Sequence, residues 1–161
     1  MVRRQLTLFV SPGAAPWLEP LRQQLDPLQF ALIAAHVTLC REDEIVDLDF
    51  EALRDRLAGF GPLTLTFGPA QRFGLHGVLL PCIDGAAAYQ HLRELVLGDR
   101  AIRKPEPHLT LAHPRNPRSP GNVDSLMVSH PAPLTLDFHA VALIEQRGAH
   151  PWITLNTLRM G

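Results

Sequence analysis

Two short stretches place a histidine and a threonine in the same relation: His36-Val37-Thr38-Leu39 and His108-Leu109-Thr110-Leu111. Each lies in a run of apolar, β-prone residues. In an extended strand side chains alternate, so His36 and Thr38 share a face about 7 Å apart at Cα, as do His108 and Thr110. The intervening aliphatic residues point the other way, toward a core. If two such strands lie side by side, two imidazoles and two hydroxyls line one cleft. An unperturbed imidazole titrates near about 6.5, so close to neutrality one ring is neutral and the other protonated. That pair offers a base for the attacking oxygen of a phosphodiester and an acid for the leaving one, each worth about 10²–10⁴ in rate. The threonine hydroxyls donate to the non-bridging phosphoryl oxygens. This chemistry calls for no cofactor and no metal.

The elements that must hold these residues are legible in outline. Residues 5–10 read as a strand ended by Ser11-Pro12-Gly13, and 16–25 as a helix with Trp17, Leu18, Leu21 and Leu25 on one face. A strand over about 31–40 carries the first motif. Phe50, Leu53 and Leu57 mark a helix started by Asp47 or Asp49 and stopped at Gly59. Residues 63–67 alternate as a strand, and 75–83 read as another. Asp84-Gly85 opens a helix with Tyr89, Leu92 and Val96 in register, closed by Gly98. The second motif strand spans about 107–112, followed by a polar loop over 114–122 and a short helix near 122–129. Two last strands, 134–145 and 151–158, turn at Gly148. The order repeats weakly, giving a single domain over 1–161 with pseudo-repeats of roughly 1–74 and 75–161. Strands with helices alongside favour α+β over a doubly wound parallel sheet.

Composition narrows the class. The 161 residues are 46% hydrophobic and 19% charged, as in one folded domain, and 15 prolines punctuate the loops. A formal net charge of −1 argues against a broad electrostatic grip on duplex DNA, yet leaves room for one phosphate or an RNA end. The two cysteines, Cys40 and Cys82, form no disulfide framework or zinc pair. No run reaches membrane-spanning length, and Leu6 to Val10 is too short for a signal-peptide core. The expectation is a cytoplasmic monomer with no membrane partner.

The two H-x-T-x motifs, with Pro107 before the second, Leu-Ala after it and the strands at 63–67 and 134–158, resemble the two-histidine phosphoesterase superfamily. Within it, the chain is similar to the 2′-5′ RNA ligase and RNA 2′,3′-cyclic phosphodiesterase branch. The resemblance implies a bilobal fold with two antiparallel sheets flanking a central cleft and helices outside. It implies hydrolysis of a 2′,3′-cyclic phosphate to a 2′-phosphate, with His36 as proton donor, His108 as proton acceptor, and Thr38 and Thr110 on the phosphate. The residues themselves leave the two histidine roles interchangeable. Members often carry an arginine two residues after the second motif; here that place is His113, followed by Pro114 and Arg115, which leaves open whether His113 or Arg115 replaces it, and Arg115 is the candidate substrate-binding cation. The alternatives are 2′-5′ ligase or phosphodiesterase activity, or a non-catalytic module that binds a nucleotide or RNA end.

Other residues carry weaker signals. Cys40 shares the parity of His36 and Thr38, which places it at the cleft border; about 13 Å from His36, it is out of reach as a nucleophile and reads as an inert buried thiol. His108 and His113 have opposite strand parity, which argues against a metal site with Glu106. Arg41, Arg72, Lys104 and Arg118 are further candidates for phosphate contacts, and surface charge is the plainer reading. Phe73, Phe138 and Trp152 suit base stacking in principle and core packing by default.

Overall fold

In a computed structural model, which describes residues 1–123 and 129–161, the chain forms two antiparallel sheets with helices packed alongside. Strand β1 (Val2–Phe9) is followed by helices α1 (Leu18–Leu25) and α2 (Pro27–Leu32) and by β2 (His36–Cys40). Helix α3 (Phe50–Ala58), β3 (Leu63–Phe67), the two-residue β4 (Gln71–Arg72), β5 (Val78–Asp84), α4 (Ala86–Leu97) and β6 (His108–Ala112) come next. Helix α5 (Pro120–Val123) and strands β7 (Leu134–Phe138), β8 (Ala140–Arg147) and β9 (Ile153–Arg159) complete it. The helix expected over 122–129 falls mostly outside the described residues.

One sheet runs β2-β1-β8-β9; in the other, β5 pairs with β3, β4 and β6, and β7 extends β3. Among the described residues each motif strand therefore pairs with a single neighbour, β2 with β1 and β6 with β5. The expected α+β architecture with two antiparallel sheets is what the chain adopts. The sequence halves 1–74 and 75–161 each contribute strands to both sheets: β3 pairs with β5 and β7, while β8 and β9 return to β1.

Three differences from the sequence expectation have local causes. The strand anticipated from residue 31 begins at His36, because Asp26 caps a preceding helix by accepting from Gln29 N–H at 3.1 Å, with Pro27 in its first turn. The strand expected over 134–145 breaks at His139, where the chain passes from one sheet to the other. A short hairpin, β4 with the start of β5, occupies the stretch around Phe73. Elsewhere the signals operate as read. Asp49 accepts from Glu51 and Ala52 N–H groups at the head of α3, a cap worth about 1 kcal/mol. Gly85 precedes α4 at φ +98°, where a Cβ would lie 2.4 Å from Thr64 O; only glycine fits.

The main core lies under both sheets. Leu6, Leu8, Val37 and Leu39 from the first sheet and Leu80, Leu109, Leu111 and Phe67 from the second are fully buried, with Leu53, Leu57, Leu92 and Val96 of the helices against them. Among the described residues no helix is long and apolar enough to cross a membrane.

Candidate active site

The motif strands lie alongside each other at the seam between the sheets, with Cα atoms approaching within 8 Å. In both strands the aliphatic residues at the second and fourth motif positions are buried, and the histidine and threonine stand half-buried on the opposite face. The pairing that fixes this is the same in both. Thr38 lies opposite Thr7 and His36 opposite Phe9; Thr110 lies opposite Leu79 and His108 opposite Pro81. After each threonine the register slips by one residue, which turns Cys40 and Ala112 into the core. The slip corrects the strand-parity expectation for Cys40: it is fully buried, and burial pushes its thiol up to about 12.

His36, Thr38, His108 and Thr110 line one cleft of about 600 Å³, together with His113 and Arg115. Each motif histidine is oriented by its own strand. His36 Nδ1 lies 2.8 Å from Ala34 O, and His108 Nδ1 lies 3.0 Å from Glu106 O. A carbonyl only accepts, so both Nδ1 atoms carry hydrogen and both Nε2 atoms are left for the cleft. The rings differ in their flanks: Phe9 meets His36 edge-on, and Phe73 stacks on His108 at an interplanar angle of 20°. Burial, with the positive charge of Arg22 beside it, lowers His36 to about 4 despite the Ala34 hydrogen bond. At neutral pH His36 is therefore an unprotonated imidazole in these surroundings.

His113 has a different wiring. Its Nδ1 accepts from Arg115 N–H at 3.1 Å, which places any neutral-ring proton on Nε2. Burial and the adjacent Arg115 charge lower it to about 4. Its own N–H donates to Asp26, a buried carboxylate that also accepts from the Asn116 side chain. Thus the cap of α2 also anchors the segment that follows β6.

Of the other cations, Arg41 lines the cleft, Arg72 donates to Gly121 O, and Lys104 and Arg118 lie outside the lining. Phe138 is core, as expected by default; Phe73 is 52% exposed and lines the cleft, so it departs from that default, whereas Trp152 both packs on Ile33, Ala142 and Ile144 and lines the cleft. Among the described residues no three His, Cys, Asp or Glu side chains are grouped to hold a metal ion.

Two contributors were not apparent from sequence. Tyr89 Oη donates to Thr38 O at 2.7 Å, and the buried Arg93 donates to Leu39 O and to Glu44. Helix α4 thereby grips the first motif strand. Burial works against ionised Glu44, yet the Arg93 guanidinium and Arg41 N–H hold its carboxyl below the usual range. Removing one partner of such a buried pair costs about 3–5 kcal/mol. Both contacts span long stretches of chain, and in sequence each residue reads as part of an ordinary amphipathic helix.

A family model described as the 2'-5' RNA ligase superfamily matches residues 10–150. No curated protein sequence matches. Among solved structures, Escherichia coli LigT complexed with ATP aligns at a TM-score of 0.66 and 16% identity over 98% of this chain and 97% of that one. TT0787 of Thermus thermophilus aligns at 0.61 and 19% identity over 98% and 97%. LigT complexed with 3'-AMP aligns at 0.61 and 14% over 98% and 97%. At these identities the likeness concerns the fold.

Proposed function

The chain belongs to the 2'-5' RNA ligase superfamily, and from that premise we propose that it is a metal-independent phosphodiesterase hydrolysing a 2′,3′-cyclic phosphate, at an RNA end or on a small nucleotide, to the 2′-phosphate. The observation that carries this reading is the matched pair of histidines, each with Nδ1 tied to a carbonyl two residues upstream and Nε2 left for one cleft. The phosphate sits between them, with Thr38 and Thr110 hydroxyls donating to its non-bridging oxygens and Arg115 adding positive charge. His108 Nε2 takes a proton from water as the water oxygen bonds to phosphorus. The bond from phosphorus to O3′ breaks, and His36 Nε2 delivers a proton to that oxygen, leaving a 3′-hydroxyl and a 2′-phosphomonoester. His36 is neutral in these surroundings, so its donor role draws on the arriving phosphate anion, which favours the imidazolium.

The test is turnover of 2′,3′-cyclic, 3′,5′-cyclic and 2′-5′-linked nucleotides by wild type, His36→Ala and His108→Ala, with and without a chelator. Each variant should lose about 10²–10⁴ in rate on the 2′,3′-cyclic substrate, and the chelator should change nothing. A substrate with a p-nitrophenolate leaving group needs no acid, so it should restore turnover to His36→Ala and not to His108→Ala. The opposite rescue would exchange the two roles. Full activity in either variant would end the proposal.

A further inference from the structure

The end of the cleft along β1 carries more positive charge than one phosphodiester uses. On β1 the face that bears Thr7, opposite Thr38, continues through Gln5 to Arg3, about 13 Å from Thr7 at the rise of a strand. Among the described residues Arg3 is held by neutral groups alone. Its guanidinium donates to Gln146 Oε1 and lies 5.3 Å from the centre of the Trp152 ring. Gln146 is 3% exposed, and its Nε2 donates to His150 O at 2.9 Å, so the amide is locked with its oxygen toward Arg3. Trp152 is fixed in turn by the bond from its backbone N–H to Leu32 O and by packing of its ring on Ile33, Ala142 and Ile144.

Neither partner neutralises the charge. Of the other arginines lining the cleft, Arg4 pairs with Glu145 at 2.9 Å and Arg22 with Glu19 at 2.6 Å, whereas among the described residues Arg3 and Arg115 have no carboxylate within ion-pair distance. Of the carboxylates lining the cleft, Asp43 is held by Arg103, which leaves Glu42 against Arg3, Arg41 and Arg115. Arg3 and Arg115 feel each other: after burial, the Arg3 charge is what draws the Arg115 guanidinium below its usual range. The wall formed by Val78, Leu79, Phe73 and Pro114 is apolar. Two guanidiniums in one solvent-reduced space, one of them fixed by a buried amide and an indole, make a place for an anion.

We propose that Arg3, together with the Arg115 that also serves the reacting phosphate, forms a second phosphate subsite, which takes the neighbouring phosphoryl group of a nucleotide whose reacting phosphate lies between His36 and His108. This rests on the placement of the reacting phosphate given under the proposed function. A terminal 5′-phosphate and an internucleotide phosphodiester present the same group, and the test separates them.

Equilibrium binding is measured by calorimetry with the full chain and three ligands: adenosine 2′-phosphate, adenosine 2′,5′-bisphosphate, and adenylyl-adenosine ending in a 2′-phosphate. One or both of the last two should bind wild type about tenfold tighter than the first at low salt. In Arg3→Gln, shown to be folded by its thermal transition, that ratio should fall below about threefold, and Arg3→Lys should keep part of it. A gain confined to the bisphosphate identifies a terminal phosphate; one confined to the dinucleotide identifies an internucleotide phosphate. Equal affinities in wild type, or a ratio unchanged by Arg3→Gln, would overturn the subsite. Binding needs no turnover, so an Arg3-dependent ratio in a protein that hydrolyses nothing would uphold the subsite and remove the catalytic reading. No binding of any ligand would remove both.

Discussion

His36 and His113 both stand in buried surroundings beside the cleft, and that burial has a measurable consequence. Burial lowers His36 to about 4, and burial with the Arg115 charge lowers His113 to about 4. In an unfolded chain both titrate near about 6.5, so between pH 6.5 and 4 the unfolded state binds more protons. Their contribution to stability is complete above pH 6.5 and is lost as the pH falls toward 4. The midpoint of urea unfolding should therefore fall between pH 6.5 and 5, before most carboxylates titrate. His36→Gln should flatten that slope relative to wild type; a slope unchanged in the variant would contradict the burial of this imidazole.

At the scale of elements, α4 is the support for the first motif strand. Tyr89→Phe removes the hydroxyl that donates to Thr38 O and leaves the ring in the core. The loss of one such bond costs about 1 kcal/mol of stability. If Tyr89 also positions Thr38, kcat should fall severalfold with KM nearly unchanged, whereas a purely structural residue would lower the melting temperature alone. The elements are also where sequence reading reaches furthest. Strand alternation places His36, Thr38, His108 and Thr110 on one face each, and the Asp49 cap and Gly85 turn fix two helices. What escapes it depends on distant chain. The helix at Pro27–Leu32 takes the first residues of the strand expected from about 31 because Asp26 is satisfied both by its own turn and by His113 and Asn116. The break at His139 comes from a change of sheet, which a continuous β-prone run does not announce. Cys40 turns inward because of a one-residue slip against β1, and no local pattern encodes that slip.

At the scale of the molecule, the sheets are interleaved along the chain. Fragment 1–74 would hold β3 without β5 or β7, and β1 without β8. It should therefore be unfolded by circular dichroism when made alone, and the whole chain should unfold in one step. Trp17, stacked on His130 and packed on the main core, and Trp152, packed on Ile33 and Ile144, report different hydrophobic clusters. Their fluorescence and the far-ultraviolet signal should share one midpoint; separate midpoints would mean that the sheets fold independently.

The grip of α4 on β2 has a meaning beyond alignment. A strand at the margin of a sheet exposes backbone groups that invite a further strand, and β2 and β6 are such margins lying beside each other. Were they to zip together, the sheets would merge into one continuous surface and no hollow would remain for a phosphate. The carbonyls of Thr38 and Leu39 are instead occupied by Tyr89 and Arg93 side chains. Helix α4 thus acts as a spacer that denies β2 those bonds to another strand, and the cleft exists because β-structure is interrupted there.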